Sequence, residues 1–245
     1  MKKHNVLTVG KLWTKKKLVT ALLIFFLALS SIIALLTYYG QNVGCFTISL
    51  SKEVSNHNIY ISTDEEFKSY SPRLICDSFT NAQQITYQII NTNYVKNTNG
   101  IYKGNGNTYV GYTYYIKNMG DETVNLNFRM NIAQAEKNAE DVIWVWYFEG
   151  DDDNNGRMFQ KQDDLENAPS GWVGYDSSYR EREYFKNNTT VFDGRVNDLK
   201  PQEVRKYSLI IWLEGDDPDV NDQIVGGKIN FNVEYHLFNE ADKNE

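Results

Sequence analysis

Residues 124–132 read VNLNFRMNI, in which Val124, Leu126, Phe128, Met130 and Ile132 alternate with Asn125, Asn127, Arg129 and Asn131. Side chains on an extended strand point alternately to its two faces, so one face here is wholly apolar and the other wholly polar. That is the pattern of a half-buried antiparallel strand with one wet face. The same alternation recurs at Ile229–Leu237, where Ile229, Phe231, Val233, Tyr235 and Leu237 interleave with Asn230, Asn232, Glu234 and His236. It recurs again over Tyr109–Lys117, followed by the turn residues Asn118-Met119-Gly120-Asp121.

Two further runs, VIWVWYF (Val142–Phe148) and YSLIIWL (Tyr207–Leu213), are apolar on both faces and read as central, doubly covered strands. Shorter candidates are Phe46–Leu50, Ile59–Ser62, Ile85–Ile90 and Thr190–Phe192, and a short helix is expected over Asn131–Asp141. About eight or nine strands separated by Gly and Asn punctuation predict an all-β fold, an antiparallel two-sheet sandwich of jelly-roll-like type. The two central runs both end in Glu-Gly-Asp-Asp, at Glu149–Asp152 and Glu214–Asp217, which would deliver similar acidic loops if the strands are similarly placed.

Ahead of this domain, residues 18–39 read LVTALLIFFLALSSIIALLTYY, with no charged residue. As a helix rising 1.5 Å per residue such a run reaches about 33 Å, enough for a hydrocarbon core of about 30 Å. Six lysines and no acid precede it. The positive-inside bias therefore predicts a cytoplasmic tail over 1–17, a transmembrane signal anchor over 18–39 and an extracellular domain over 40–245. A cleaved signal peptide would have a shorter apolar region and small residues at its end, where this chain has Leu35, Leu36, Thr37, Tyr38 and Tyr39. The expected location is a single-pass cell membrane protein with its C-terminal domain outside.

Six of the 25 basic residues and none of the 32 acids fall in the first 39 positions, so the remaining 206 carry a net charge of −13. That surface repels nucleic acid and favours divalent cations or cationic polymers. The two cysteines, Cys45 and Cys76, both lie on the expected outer side and are a disulfide candidate in an oxidising exterior.

Asp151, Asp153, Asn155 and Gly156 match the opening of a calcium loop, in which alternate oxygens converge on a hard cation and a glycine permits the turn. The position that calls for a bidentate Glu holds Gln162, with Asp163 and Asp164 just beyond. The second acidic loop offers Glu214, Asp216, Asp217, Asp219, Asn221 and Asp222. Asp151, Asp153, Asn155, Asp216, Asp217 and Asp219 are accordingly the candidate metal ligands, with Ca2+ as the cofactor they would take. Trp144, Trp146, Trp172 and Trp212 raise the alternative of a glycan platform, since sugar rings stack on exposed aromatic faces. The three histidines stand in no metal-ligand spacing, and neither H-E-x-x-H nor G-x-S-x-G occurs. No catalytic residue is expected, and the chain reads as a protein other than an enzyme.

The strand-turn-strand YTYYIKNMGDETVNLNF (112–128), LKPQEVRKYSLIIWLEGDDPD (199–219) and the strand GGKINFNVEY (226–235) resemble the TasA and camelysin-like surface proteins of low-GC Gram-positive bacteria. The resemblance covers about residues 105–237. It implies a jelly-roll-like domain displayed outside the cell, with a structural, adhesive or matrix-assembly role and self-assembly or other surface proteins as partners. A calcium- or glycan-binding module is the other function these residues admit.

Overall fold

The structure, a computed structural model, describes residues 19–31, 46–76, 83–166 and 168–238. The chain divides into two compact units, Met1–Val43 and Gly44–Glu245. In the first, residues 19–31 form a helix, α1. Leu23, Ile24, Phe25, Phe26 and Leu27 on it are each at least 60% exposed. At 13 residues, α1 reaches about 20 Å, and among the described residues no helix is long and apolar enough to cross a membrane. The rest of the expected anchor, residues 18 and 32–39, and the expected tail over 1–17 lie outside the described residues.

The second unit is built from two sheets. One has the strand order β11 (Thr190–Leu199), β7 (Val124–Glu136), β13 (Lys228–Leu237), β1 (Phe46–Leu50) and β3 (Arg73–Cys76). The other runs β10 (Glu183–Tyr184), β9 (Arg157–Gln160), β8 (Ile143–Glu149), β12 (Val204–Glu214), β6 (Tyr109–Asn118) and β2 (Ile59–Ser62). Onto this second sheet β4 (Gln84–Ile85) adds beside β12, and β5 (Gly100–Lys103) beside β6. The sheets share one core, to which Phe128, Phe192 and Tyr235 come from the first and Tyr114, Phe159 and Tyr207 from the second. Tyr114 and Tyr235, both fully buried, join the two sheets through a 2.6 Å hydroxyl–hydroxyl hydrogen bond.

The alternation at 124–132 is realised as expected: Val124, Leu126, Phe128 and Met130 are buried on one face of β7, while Arg129 on the other is exposed. The two doubly apolar runs are β8 and β12, paired to each other in the middle of the second sheet. Their inner residues Val145, Leu209 and Ile211 enter the shared core. Trp144, Trp146, Ile210 and Trp212 face outward into a second cluster with Tyr109, Phe148 and Met158, against which Tyr87, Tyr175 and Tyr179 pack. Helix α2 (Thr92–Lys96) also lies on this side, with buried Val95 seated directly over Gly111. A Cβ at Gly111 would stand 2.5 Å from the Val95 methyl groups, so the close approach of helix to sheet requires glycine there.

Three expectations are corrected. The sheets are mixed rather than purely antiparallel, because β1–β13, β4–β12 and β9–β10 pair in parallel. The helix expected over Asn131–Asp141 does not form; β7 continues to Glu136, and a 3-10 turn follows at Ala139–Asp141. Ladder bonds from Glu136 to Ile132 against Lys228–Phe231 of β13 outweigh the modest helix preference of Ala, Glu and Lys in so short a run. The strand expected over Ile85–Ile90 shrinks to β4 followed by a 3-10 turn at Tyr87–Ile89, while β3, β5, β9 and β10, which the sequence reading lacked, are present.

Candidate metal centre

Neighbouring antiparallel strands run in opposite directions, so β9 and β12, which flank β8, run the same way and end at the same edge of the sheet. Beyond those ends lie Asp163, three residues past β9, and Asp217 and Asp219, shortly past β12. Their carboxylates converge, with one oxygen from each lying within 4.8 Å of the others. Asp217 and Asp219 are 3% and 5% exposed.

Each acid is fixed by donors from around it. Trp144, at the start of β8, donates its Nε1–H to Asp217 Oδ2 at 2.9 Å, and the Asp219 backbone N–H donates to Asp217 Oδ1 at 2.9 Å. The Asp164 backbone N–H donates to Asp219 Oδ2 at 2.9 Å. Asp163 Oδ1 accepts from Gln160 Nε2 at 2.9 Å and from the Tyr175 hydroxyl at 3.2 Å. Burial pushes the Asp217 carboxyl up to about 7, with Asp163 and Asp219 adding to the rise and the Trp144 bond opposing it. Burial also raises Asp163, whose rise the Tyr175 bond opposes and the Asp219 charge assists. Arg182, stacked 4.2 Å above the Tyr175 ring, is the cation that bears on Asp163.

Beside this cluster Glu214 is fully buried, and its carboxylate accepts from Trp212 Nε1 at 2.9 Å and from the Tyr87 N–H at 3.1 Å. Its other oxygen lies 2.9 Å from the Tyr179 hydroxyl and accepts the Asp216 N–H at 3.2 Å. The same Tyr179 hydroxyl is 2.8 Å from Asp216 Oδ2. These two acids tie the Tyr179 segment down over the tryptophans rather than joining the Asp163 cluster.

The other expected ligands lie elsewhere. Because β8 is antiparallel to β12, Tyr207 stands opposite Glu149 and Leu213 opposite Ile143. The two Glu-Gly-Asp-Asp segments therefore leave from opposite ends of the sheet, so the loops cannot build one site. At the β8–β9 hairpin, protein cations already sit on the acids. Lys96 Nζ donates to Asp153 Oδ1 and to the Asp151 carbonyl, both at 2.9 Å, and Lys206 Nζ pairs with Asp151 Oδ1 at 2.5 Å. Arg180 donates to the Asp153 carbonyl at 2.7 Å, and Asn155 Nδ2 donates to Asp152 Oδ2 at 2.5 Å. Asp153 thus pairs with Lys96, Asp151 with Lys206, and Asn155 bonds Asp152, so the oxygens of this turn are taken up within the protein.

The glycan platform meets a similar obstacle, since Trp144, Trp146 and Trp212 are at most 3% exposed and Trp172 is half-buried against Tyr175. Cys76 is buried at the end of β3, opposite Phe46 of β1, while Cys45 lies outside the described residues. Sequence reading passed over Asp163 and Gln160, which bonds it, because β9 itself was not foreseen. The apolar Met158-Phe159 pair ahead of Gln160 and Asp163 was the available signal.

No protein-family model matches the chain, and no curated protein matches it. A solved structure it is similar to is that of a β-glucosidase from Kluyveromyces marxianus in complex with glucose, at 11% identity and a TM-score of 0.27. The likeness covers 76% of this chain and 17% of that one, so the chain spans about a sixth of that protein's length. The matched protein is an enzyme, but a match this weak shows activity neither way, so the expectation that this chain is none is left without support. A likeness this slight assigns no reaction to the chain.

Proposed function

We propose that the chain is a membrane-anchored surface protein of a bacterial cell. In this reading residues 1–17 lie in the cytoplasm, 18–39 span the bilayer, and the domain beyond is a jelly-roll-like sandwich outside the cell with a structural, adhesive or matrix-assembly role. The observation that carries the reading is α1, apolar all round with its large side chains exposed. A helix hydrophobic on every side is at home in a core or a bilayer, and in water each exposed Leu, Ile or Phe forgoes about 1.5–3 kcal/mol of burial. Lysines 2, 3, 11, 15, 16 and 17 before the run support the orientation. The crossing of β6, β7 and β8, and of β11, β12 and β13, from one sheet to the other at each step supports the jelly-roll-like connection. The sequence resemblance over residues 105–237 supports the surface role.

Fractionation of cells expressing the full chain, followed by alkaline carbonate extraction and N-terminal sequencing, tests the anchor. The expected outcome is an intact chain that stays in the membrane pellet and whose C-terminal domain is digested by protease added outside. A product released to the medium and trimmed beyond Tyr39 would refute it.

A further inference from the structure

We infer that Asn105, at the tip of the β5–β6 hairpin, is a self-modification site of the domain, where the Gly106 backbone nitrogen attacks the side-chain amide, ammonia leaves and water completes the conversion to aspartate and isoaspartate. The inference needs only the folded C-terminal domain and stands whether or not the anchor reading does.

The chemistry uses two adjacent residues and water. Base removes the proton of the Gly106 N–H, and the nitrogen forms a bond to Asn105 Cγ. The Cγ–Nδ2 bond breaks, and Nδ2 takes a proton from water and leaves as ammonia. The product is a five-membered imide. Water then adds to one of its two carbonyl carbons and breaks that carbon's bond to nitrogen. Addition at Cγ gives aspartate, whereas addition at the backbone carbonyl gives isoaspartate, whose chain runs on through Cγ. The balance is asparagine plus water to aspartate or isoaspartate plus ammonia, with no redox change. Glycine is the favoured following residue because it has no Cβ to shield the attacking nitrogen.

Three Asn-Gly pairs occur, at Asn99, Asn105 and Asn155, and by that dipeptide alone they are equivalent. The fold separates them. Asn105 and Gly106 are both exposed. The Asn107 N–H donates to the Gly104 carbonyl at 3.0 Å, closing a four-residue turn in which Gly106 is third, with φ +70°. The turn makes no use of the Gly106 N–H, and among the described residues neither it nor the Asn105 side chain makes a hydrogen bond. A Cβ built on Gly106 would meet nothing nearer than Gln83 Oε1 at 3.7 Å, so the approach to the nitrogen is open.

The other two pairs are held. Asn155 Nδ2 donates to Asp152 Oδ2 at 2.5 Å and the Gly156 N–H donates to the Asp153 carbonyl at 3.1 Å, so both the leaving group and the nucleophile are bonded. Asn99 Oδ1 accepts from the Tyr115 hydroxyl at 3.3 Å, and Gly100 is buried at the start of β5, paired with Thr113 of β6. Bringing either glycine nitrogen onto its neighbour's Cγ gives up these contacts, whereas at Asn105 no hydrogen bond of the two residues has to break. The product there carries a negative charge in place of a neutral amide, and isoaspartate lengthens the turn by one backbone atom. Because the Gln83 N–H bonds the Asn107 carbonyl at 3.3 Å, the change also reaches the residue ahead of β4.

Incubating the full chain in detergent at mildly alkaline pH in heavy-oxygen water, followed by peptide mass mapping, reads each pair separately, and isoaspartyl methyltransferase counts the isoaspartate. Asn105 should take up label about tenfold or more faster than Asn99 and Asn155, a margin in line with the hydrogen bonds that the other pairs must break. Asn105→Gln should abolish the fast label and leave the far-UV spectrum unchanged. In urea all three pairs should react at a common pace, because the unfolded chain offers each the same attack. Native Asn99 or Asn155 reacting as fast as Asn105, an Asn105 that stays intact while the unfolded chain reacts, or a preference for Asn105 that persists undiminished in urea would overturn the inference.

Discussion

Lys96 ties the tip of the β8–β9 hairpin to the helix beside it. It reaches from the last turn of α2 to Asp153 Oδ1 and the Asp151 carbonyl, and with its partner Asp153 is more than four-fifths buried. Burial pushes the Asp153 carboxyl upward, but the bonds from Lys96 and Thr92 outweigh it and hold the group below the ordinary aspartate value. The sign of the linkage follows. A carboxyl with a depressed folded pKa contributes stability that is fully present above the unfolded value of about 3.9 and is lost as pH falls through the folded value. Urea midpoints should therefore drop as pH falls through and below about 4, with a component that Asp153→Asn removes. Lys96→Met should cost about 1.5–3 kcal/mol at neutral pH, the usual worth of hydrogen bonds to a charged group. A Lys96→Met protein as stable as the parent would mean the hairpin tip is held by Arg180 and Lys206 alone.

At the scale of elements, packing between strands is set by ring against backbone as much as by ring against ring. Gly194 of β11 lies under the Phe128 ring of β7, where a Cβ would come within 2.1 Å of the ring tip. Phe128 in turn packs on Phe192, Tyr207 and Tyr235, so it has nowhere to retreat. Gly194→Val should destabilise the domain by about 1–3 kcal/mol or more, as overpacking does, read as a lowered urea midpoint. An unchanged midpoint would show that β11 slides outward at no cost.

What the sequence discloses divides along the same lines. Period-two alternation marks β7 and β13 because each has one dry and one wet face, and continuous apolarity marks β8 and β12 because both of their faces are covered. The short strands β3 and β10 lie at sheet edges and bury too little to leave a period, and β9, buried over Met158–Gln160, is only four residues long, too short to show one. Direction is the other missing quantity. The repeated Glu-Gly-Asp-Asp looks like two equivalent loops in the sequence, yet antiparallel pairing of β8 with β12 sends them to opposite ends. Asp217 and Asp219 could be picked out as acids near a strand end. Their partner Asp163 could not, because it depends on β9 and β12 pointing the same way.

For the folded domain as a whole, the order in which the chain visits the sheets decides how it unfolds. From β6 the chain passes to the other sheet for β7 and returns for β8, and it repeats the exchange through β11, β12 and β13. Neither sheet can assemble from consecutive strands alone, and each contributes half of the shared aromatic core, locked by the Tyr114–Tyr235 bond across the middle. Losing one sheet would bare the buried face of the other, so partial unfolding has no stable product. The buried tryptophans offer a clean check, because Trp144, Trp146 and Trp212 all lie in the outer cluster of one sheet, whereas circular dichroism near 218 nm reports both. Urea unfolding followed by the two signals should superimpose as one transition, and refolding should be slow, on the millisecond-to-second scale of folds dominated by distant pairings. A tryptophan transition that runs ahead of the dichroism would mean that the outer layer carrying Tyr175, Tyr179 and the acidic cluster melts by itself.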